Sequence, residues 1–498
     1  MRYILGIDLG TSAVKVVLYD ETLRKCGDCG QEYPLSSPCN GWAEQQPDDW
    51  YAAAAACIRR LLSESGVPAG SIVSVGLSGQ MNGVVLLDGD GRPLRPAILW
   101  CDQRGAAECE EINSRVGADK IFSISCNPAL TGFSLAKLLW VRNNQPDVFS
   151  ACRHIMLPKD YIRLRLTGEY ATDMSDASGS QLLDTGKRRW SPEIVSALGL
   201  DAAILPQVYE SPEITGRVTA CASAETGLPA GIPVVAGAGD NAASAIGTGV
   251  VEDCRSFLTL GTSGVINTHI DTLRVDAQGR VHTFCAAAPG AWLVVASQQS
   301  AGLSMQWMRN TLYPEDNEYA RINADIAARP IGAQRLLYLP YLLGDRSPHM
   351  DPDARGVFFG LSSIHTRGDM ARAVMEGVSY GLRDCLGVMR DMGIVPREML
   401  VCGGGAKSPI WRQMLADVLS VPMRRMESSD SGALGACILA AVGAGVYANI
   451  REACGVSVRC GGAVQPDAAR SAEYEKFYAL FQRLYPHMQE DFKFLSKL

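Results

Sequence analysis

The feature that most constrains this chain is a four-residue sequence, LGTS, that occurs twice, about half a chain length apart. The first copy begins at Leu9, inside ILGIDLGTSAVKVVLYD, and the second begins at Leu260, inside SFLTLGTSGVINTHI. In both segments a strand-like apolar run stops at glycine, threonine and serine and then resumes, which predicts a β-hairpin with a small polar tip. The repetition therefore predicts two similar halves, each with one such hairpin.

The length of 498 residues exceeds what one hydrophobic core usually supports, so two domains are expected. We place them at residues 1–245 and 246–498. The segment IPVVAGAGDNAASAIGTG, typical of a buried strand, a glycine turn and a helix of small residues, closes the first half. Strand-like and helix-like segments alternate along both halves, which predicts an α/β fold with largely parallel sheets.

The formal net charge of −7 and the isoelectric point near 5.5 argue against a nucleic-acid surface or a basic membrane patch. No segment has the roughly 20 consecutive apolar residues of a membrane span. The N-terminus lacks the charged leader and long apolar stretch of a secretory signal. We therefore expect a cytoplasmic protein with neither a nucleic-acid nor a membrane partner.

The tip of the first hairpin, Gly10, Thr11 and Ser12, offers backbone N–H groups and two hydroxyls with little side-chain bulk. Such a turn permits close approach by phosphate oxygens. Asp8 precedes the tip, where a carboxylate is useful if Mg²⁺ lies between it and the phosphates. For one copy alone, a plain hairpin turn is the favoured alternative, and the second copy shifts the balance towards phosphate binding. Neither a GxxxxGK[ST] loop nor a GxGxxG between strand and helix is present.

The catalytic candidate is Asp240, in GAGDNAA, where a buried strand turns into a helix. A side chain at such a corner points into a cleft, and the helix N-terminus favours its ionised form. An ionised carboxylate there can accept a hydroxyl proton during attack on a γ-phosphate. The alternative is that Asp240 is the N-cap of the helix, since Asp is a preferred cap residue. The two roles are compatible.

Three consecutive glycines, Gly403, Gly404 and Gly405, lie between a predicted strand and a predicted helix in MLVCGGGAKSPIW. They leave bare backbone against which a purine or a ribose can lie flat. A flexible loop is the alternative interpretation, although three glycines exceed what a turn requires.

Together these segments resemble the FGGY carbohydrate kinases, on the strength of GIDLGTS, the repeated LGTSG, GAGDNAA and GGGAKSPIWRQMLADV. Two longer patterns agree, GFSLAKLLWVRNN and GVFFGLSSIHTRGDMARAVMEG. The resemblance extends from about Tyr3 to about Ala440. It implies the α/β fold of the actin and Hsp70 ATPases, a duplicated ribonuclease H-like fold with a cleft between two domains. It also implies an ATP- and Mg²⁺-dependent kinase that acts on a small sugar.

The resemblance assigns roles to individual residues. It makes Asp240 the base that takes the proton of the sugar hydroxyl, and it places Asp8 near the magnesium ion and the phosphates. Beside Asp8 it places Gly10 and Thr11. Around the nucleotide it places Gly261, Thr262, Gly302, Gln306, Gly404 and Gly405. It places the sugar at Met81 and Asn82, with further neighbours at Trp100, Asp102 and Asn241.

Within the family, GQMNGVVLLD, RPAILWCDQR and LPYLLGDRSPH are most similar to the members that convert D-xylulose to D-xylulose 5-phosphate. Those kinases usually have GQMHG, so Asn82 replaces a histidine expected to meet a sugar hydroxyl. Asparagine can donate and accept hydrogen bonds but reaches less far and carries no charge. Ribulose, a polyol or an aldonate therefore stays open as the acceptor. A nucleotide switch without enzymatic activity is a third hypothesis, and a homodimer stays open as the assembly.

Overall fold

The computed structural model describes residues 1–315, 318–427 and 430–498. The strands of the first half are β1 (Tyr3–Leu9), β2 (Ala13–Asp20), β3 (Lys25–Glu32), β4 (Glu44–Gln45), β5 (Ile72–Gly79), β6 (Val85–Leu87), β7 (Ala97–Ile98), β8 (His154–Met156), β9 (Ala171–Asp173), β10 (Leu183–Asp184), β11 (Arg189–Trp190), β12 (Gln207–Tyr209), β13 (Ile214–Arg217), β14 (Pro233–Val235) and β15 (Ala238–Gly239). Its helices are α1 (Pro47–Ser65), α2 (Ala106–Ile112), α3 (Ala118–Ser125), α4 (Ser134–Asn144), α5 (Pro146–Ala151), α6 (Pro158–Thr167), α7 (Met174–Ser178), α8 (Pro192–Ala197), α9 (Ala220–Thr226) and α10 (Asp240–Gly247).

The second half repeats this alternation of strands and helices. Its strands are β16 (Ser256–Leu260), β17 (Gly264–Ile270), β18 (His282–Cys285), β19 (Trp292–Gln298), β20 (Leu337–Leu339), β21 (Val357–Phe359), β22 (Met399–Cys402), β23 (Met423–Met426) and β24 (Cys460–Val464). Its helices are α11 (Gly302–Leu312), α12 (Tyr319–Ala327), α13 (Arg367–Asp391), α14 (Pro409–Leu419), α15 (Ser431–Gly443), α16 (Ile450–Ser457) and α17 (Ala468–Leu495).

Local sequence signals explain where the long helices begin and end. Pro47 occupies the first turn of α1, and the helix stops at Gly66, which adopts a left-handed φ of +66°. α13 begins with a capping box, in which Thr366 and Asp369 exchange hydrogen bonds between side chain and backbone. The sequence predicts helical periodicity from Trp50 to Leu62 and a long helix from Asp369 to about Met392, and α1 and α13 confirm both predictions.

Each half is built around one mixed sheet. Along the described chain, the first sheet has the order β13-β14-β5-β1-β2-β3, with β15 also paired to β5. The second has the order β18-β19-β17-β16-β22-β23-β24. β1 pairs with β2 antiparallel and with β5 parallel, and β16 likewise pairs with β17 antiparallel and with β22 parallel. The α/β class is therefore confirmed, whereas the prediction of largely parallel sheets is wrong, because each half opens with an antiparallel hairpin.

Both copies of LGTS form the hairpins that the sequence predicts. The first copy connects β1 to β2, with Leu9 opposite Val14. The second connects β16 to β17, with Leu260 opposite Gly264. The corresponding strands of the two sheets thus carry the same turn.

Helix α15 comes from the second half but packs on the first sheet. A β-carbon added at Gly6 of β1 would lie 2.6 Å from Cys437 Sγ, and one at Gly76 of β5 would lie 2.0 Å from the Ala436 carbonyl oxygen. These glycines let α15 lie directly on the strands. The division at residues 245 and 246 stays a prediction, since this helix contacts both halves. Within the described residues, no helix combines the length and hydropathy needed to cross a membrane.

Candidate active site

Three parallel strands end side by side at one edge of the first sheet. β5 lies between β1 and β15 and is parallel to both. Asp8 of β1 lies opposite Ser78 of β5. Gly239 of β15 lies opposite Gly79, the last residue of β5. Because carboxyl ends of parallel strands meet at one edge, Asp8, the segment after β5 and Asp240 come together there.

Asp240 is the first residue of α10, and its carboxylate is poorly solvated. Its Oδ1 accepts a hydrogen bond from the backbone N–H of Asn241 at 2.7 Å and another from that residue's Nδ2 at 3.2 Å. Burial raises the pKa of Asp240 to about 7, and the negative charge of Asp8 adds to the rise. The N-cap of α10 is Gly239, so the interpretation of Asp240 as the cap residue is wrong.

Asp8 meets the second half of the chain. Burial raises the pKa of its carboxyl group, and the cation of Lys15 opposes the rise. A β-carbon added at Gly432, in the first turn of α15, would lie 2.9 Å from Asp8 Oδ2. Asp430, just before α15, accepts hydrogen bonds from Lys15 at 2.6 Å and Lys25 at 2.7 Å. The N-terminus of α15 therefore closes onto the opening hairpin.

Neighbouring aromatic side chains hold the tip of the opening hairpin. The N–H of Gly10 donates to the Ala13 carbonyl at 3.0 Å, and the Tyr33 hydroxyl donates to the Gly10 carbonyl. The Trp100 indole N–H donates to Thr11 Oγ1 at 3.0 Å. Trp100 is nevertheless 43% exposed. The structure thus brings Trp100 to the hairpin and leaves much of its ring accessible.

The predicted sugar residues Met81 and Asn82 follow the end of β5 after one residue, Gln80. Asn241 Nδ2 lies 3.9 Å from Met81 Sδ, and a β-carbon at Gly239 would lie 2.6 Å from Met81 Cγ. Asn82 has a φ of +64°, which asparagine tolerates better than most residues. Its Oδ1 lies against Gly179, where an added β-carbon would be 2.3 Å away. Met81, Asn82 and Asn241 therefore form one wall beside the predicted base.

Asp102 is occupied by other contacts. It is fully buried, and its Oδ2 accepts a hydrogen bond from the backbone N–H of Ala43 at 2.7 Å. Arg104 donates to the same carboxylate from its backbone at 2.9 Å and from its guanidinium at 2.9 and 2.7 Å. Because both oxygens are engaged, the geometry argues against the predicted contact between Asp102 and the sugar and favours a role in holding its own loop.

The predicted nucleotide residues converge in the second half. A cavity of about 620 Å³ lies at the carboxyl ends of β16 and β22. Its size is that of a typical small-molecule or cofactor site. The predicted residues that line it are Gly261, Thr262, Gly302, Gln306, Gly404 and Gly405. Six residues that lie far apart in the sequence thus share one cavity.

Backbone contacts between the second hairpin and α11 form one side of this cavity. The N–H of Gly302 donates to the Gly261 carbonyl at 2.9 Å, and the N–H of Leu303 donates to the Thr262 carbonyl at 3.0 Å. A β-carbon at Gly302 would lie 2.2 Å from the Gly261 carbonyl oxygen. Only glycine permits this close approach. Gln306, one turn further along α11, therefore lines the cavity.

The glycine segment forms another part of the cavity, which Gly404 and Gly405 line. Gly403 adopts a φ of +88° next to the Leu260 backbone. A β-carbon at Gly405 would lie 2.9 Å from the Trp411 ring. Gly404 has no neighbour within 4 Å of an added β-carbon in the described part of the chain, so its α-carbon faces open space. Gly403 thus forms a left-handed turn, Gly405 packs closely and Gly404 offers open backbone surface.

Models of both domains of one protein family match this chain. The model of the N-terminal domain of the FGGY family of carbohydrate kinases matches residues 3–247, and that of the C-terminal domain matches residues 257–444. The chain belongs to the FGGY family of carbohydrate kinases. It is thus a phosphotransferase, and FGGY kinases use ATP. The hypothesis of a nucleotide switch without enzymatic activity is set aside.

Full-length relatives support this assignment of the chain to the FGGY kinases. A xylulose kinase of Escherichia coli (strain K12) is 39% identical over 489 residues, which cover 97% of this chain and 99% of the relative. A xyloylose kinase of Brucella ovis has a crystal structure that superimposes with a TM-score of 0.93 at 35% identity, with 98% of this chain and 100% of that one covered. A gluconate kinase of Lactobacillus acidophilus also superimposes with a TM-score of 0.93, at 28% identity and 98% coverage of each chain.

Several residues of this FGGY kinase that line the cavity of the second half are absent from the sequence predictions. They are Met305, Tyr319, Ala320, Asn323, Met375, Lys407, Ser408 and Trp411. Ser408 caps α14 by accepting from the Trp411 N–H, and its hydroxyl donates to Asn323 Oδ1 at 3.0 Å. Lys407 and Ser408 lie in the same segment, GGGAKSPIW, as the glycines, so that motif indicates them. Tyr319 and Asn323 lie on α12, where nothing in the sequence marks a site.

Proposed function

We propose that this FGGY kinase transfers the γ-phosphoryl group of ATP to D-xylulose and forms D-xylulose 5-phosphate. The observation that carries the proposal is the carboxylate of Asp240, with a pKa raised to about 7, beside Met81 and Asn82. The similarity to xylulose kinases over nearly the whole chain supports D-xylulose as the acceptor.

Asp240 is the general base of this proposal. A base is most effective when its pKa lies near the working pH, because it is then largely unprotonated yet still attracts a proton. Asp240 meets this condition because burial and the charge of Asp8 disfavour its ionised form. Its Oδ1 is held by Asn241. The carboxylate accepts the proton of the acceptor hydroxyl as that oxygen attacks the γ-phosphate.

The hairpin edge of the first half fits a magnesium ion. Asp8 and Asp240 are both poorly solvated carboxylates, and Asp8 raises the pKa of Asp240 by charge repulsion. Mg²⁺ is usually held by one or two carboxylates with phosphate oxygens and water rather than by a cage of side chains. Accordingly, the described residues contain no group of three or more ligating side chains. Asp8 would hold the ion with Thr11 beside it, and Mg²⁺ neutralises phosphate charge when bound.

The nucleotide is assigned to the 620 Å³ cavity of the second half. Gly404 offers open backbone, and the apolar residues Met305, Met375 and Trp411 offer surface for a purine. Gly261 and Thr262, at the tip of the second hairpin, form the end of the cavity where phosphates are expected. This arrangement gives each half of the fold one phosphate hairpin.

The charges at the site favour a neutral acceptor over an aldonate. The charge that acts on Asp240 is the carboxylate of Asp8. An acceptor that carried its own carboxylate would add a further negative charge to this site. A gluconate kinase is among the structures similar to this chain, so an aldonate is the alternative that the experiment must include. D-ribulose and polyols are the neutral alternatives.

The test is ADP formation from MgATP with D-xylulose, D-ribulose, xylitol and D-gluconate at matched concentrations. We expect the highest kcat/KM with D-xylulose and little activity with D-gluconate. Asp240→Asn serves as the control and should lose about 10²- to 10⁴-fold in turnover with every acceptor, which excludes a contaminating kinase. A kcat/KM at least tenfold higher for another acceptor would replace D-xylulose in the proposal.

A further inference from the structure

The segment GFSLAKLLWVRNN contains a buried lysine that the proposed mechanism does not use. Lys137 lies on α4 and is fully buried. Its Nζ donates hydrogen bonds to the carbonyl oxygens of Asn82 at 3.1 Å and Phe133 at 3.0 Å, and to that of Gly132. A lysine ammonium has three N–H donors, so these carbonyls use all of them.

This ammonium group has no ion-pair partner in the part of the chain that the structure describes. The negative charge of Asp102 favours the charged form of Lys137 without a direct contact, and the positive charge of Arg346 disfavours it. Burial lowers the pKa of Lys137 to about 7. A buried cation that is bound only to carbonyls is costly, since carbonyl dipoles replace water incompletely. An apolar side chain would fill the same space at a lower cost, so the contact with Asn82 needs an explanation.

The backbone that Lys137 binds is strained and close to the predicted base. Asn82 has a φ of +64°. The hydroxyl of Ser134, also on α4, donates to the carbonyl of the following residue, Gly83, at 3.2 Å. Two side chains from the first turns of α4 therefore hold consecutive carbonyls of the segment after β5. A non-glycine residue keeps a left-handed conformation only when its surroundings enforce it. The hydrogen bonds from Lys137 and Ser134 therefore set the conformation of Asn82.

The conformation of Asn82 sets the positions of Met81 and Asn82, the residues predicted to bind the acceptor. Met81 precedes it and packs against Gly239 and Asn241, on either side of Asp240 in the sequence. The Oδ1 of Asn82 is buried and has no hydrogen-bond partner among the described residues. An unpaired buried acceptor is available to a ligand hydroxyl. A change in the backbone of Asn82 would move both this oxygen and Met81.

We infer that Lys137 is a positioning residue of the acceptor site, whose ammonium group fixes the backbone of Asn82 and so the wall formed by Met81 and Asn82. The inference rests on the proposed function in that these two residues bind the acceptor. It assigns Lys137 no contact with the acceptor and no part in proton transfer.

The main test is Lys137→Met, which keeps the length of the side chain and removes its donors. We expect the KM for D-xylulose to rise about tenfold or more, as for the loss of a hydrogen bond to a charged group, while the KM for ATP stays within about twofold. Arg372→Met is the matched control. Arg372 is a buried cation of the second half that donates to the carbonyls of Ile326 and Arg329 and, unlike Lys137, also pairs with Glu376 at 2.7 Å. It should lose stability without a selective effect on the acceptor KM.

A milder pair of variants keeps the test decisive if Lys137→Met does not fold. Ser134→Ala removes only the hydrogen bond to Gly83 and should raise the KM for D-xylulose by about two- to fivefold. Ser223→Ala on α9, which removes a comparable hydrogen bond to the Leu228 carbonyl, should leave that KM unchanged. Hydrogen exchange of the peptide spanning residues 80–86 should become faster in Lys137→Met or Ser134→Ala but not in the controls.

An unchanged acceptor KM together with unchanged exchange in residues 80–86 overturns the inference. A lower melting temperature with parent-like KM values does the same, because it leaves Lys137 a purely structural role. If the parent enzyme phosphorylates none of the acceptors, the proposed function fails, yet hydrogen exchange still decides whether Lys137 holds the segment. The two failures are therefore distinguishable.

Discussion

At the scale of single residues, the pKa of Asp240 makes a prediction about pH. Asp240 must be ionised to accept a proton, and burial followed by the charge of Asp8 raises its pKa to about 7. kcat/KM for the acceptor should therefore rise with pH and level off above about 7. Below that value it should fall by about tenfold per pH unit, as for one essential base.

The variant Asp8→Asn tests the cause of this shift. It removes the negative charge that raises the pKa of Asp240, so the acidic limb of the profile should move to lower pH even if turnover is reduced. The measurement is the pH dependence of kcat/KM at saturating MgATP. A limb that stays in place in Asp8→Asn would mean that Asp8 does not act on the group that titrates.

A second prediction separates catalysis by Asp240 from structure. Asp240→Asn should lower turnover by about 10²- to 10⁴-fold, the usual contribution of a general base. In the parent, the raised pKa means that the folded state binds the proton of Asp240 more tightly than the unfolded state does. This contribution to stability is present below the ordinary pKa of 3.8 and is lost as pH rises through about 7. The melting temperature of Asp240→Asn relative to the parent should therefore be highest above pH 7.

Asp467→Ala is the comparison for that experiment. Asp467 is a true N-cap, whose Oδ1 accepts from the Arg470 N–H at 2.9 Å at the start of α17. Its loss should lower stability, as the loss of an N-cap does, with normal turnover. If Asp240→Asn shows the pattern of Asp467→Ala, Asp240 is not the base.

The sequence locates Asp240 and Asp8 at one edge of the first sheet but does not reveal the contacts of Asp102, for a physical reason, and the site roles of all three stay predictions. Asp8 lies near the end of β1 and Asp240 directly follows β15, and both strands pair with β5. The pattern of strands in the sequence therefore locates both residues. Asp102 also follows an apolar segment, but its oxygens are taken by Arg104 and by Ala43, which lies 59 residues earlier. Long-range contacts of this kind decide whether a loop carboxylate is free to bind a ligand. A pattern of residue types along the sequence does not reveal them.

At the scale of elements, the junction of the second hairpin with α11 makes a third prediction. In Gly302→Ala the new β-carbon would lie 2.2 Å from the Gly261 carbonyl oxygen, so the hairpin and the helix must separate. We expect the free energy of unfolding to fall by about 1–3 kcal/mol, as for other overpacked sites. The KM for ATP should rise more than the KM for the sugar, because the damage lies in the nucleotide cavity.

Gly387→Ala controls for the helix propensity gained in that variant. Gly387 lies inside α13, and an added β-carbon meets nothing within 4 Å in the described chain. The change should stabilise the protein by up to about 1 kcal/mol and leave both KM values unchanged. A Gly302→Ala variant that behaves like Gly387→Ala would remove the structural argument for this junction.

The elements were more predictable than their arrangement. Both LGTS hairpins and the helices over 47–65 and 367–391 lie where the sequence predicts them, because turns and helix caps are local signals. The prediction of largely parallel sheets was wrong. Alternating strands and helices predict crossover connections between parallel strands, but each half opens with an antiparallel hairpin instead. The two predicted hairpins already imply an antiparallel pair of strands in each half.

At the scale of the whole molecule, two helices of small residues join the halves. A β-carbon at Gly435 of α15 would lie 1.9 Å from the Ala243 carbonyl oxygen of α10, and one at Gly247 of α10 would lie 1.9 Å from the Ser431 carbonyl oxygen of α15. α10 begins with Asp240, and the N-terminus of α15 faces Asp8. The sequence predicts α10 as a helix of small residues, but it does not reveal that α15, nearly 200 residues later, is its partner. The predicted homodimer stays a prediction.

The last prediction follows from this packing of α10 on α15. Gly435→Ala must push the two helices apart, because the added β-carbon meets backbone rather than a flexible side chain. We expect a loss of about 1–3 kcal/mol in the free energy of unfolding. Turnover in the folded fraction should also fall, because α10 carries Asp240 and α15 contacts Asp8, so their separation changes the distance between the two carboxylates.

Gly455→Ala, at an exposed position of α16 with nothing within 4 Å of the added β-carbon in the described chain, is the control and should change neither quantity adversely. Calorimetry and steady-state kinetics on both variants decide the matter. If Gly435→Ala loses stability but keeps the turnover of the parent, the packing of α10 on α15 stabilises the fold without setting the geometry of Asp8 and Asp240.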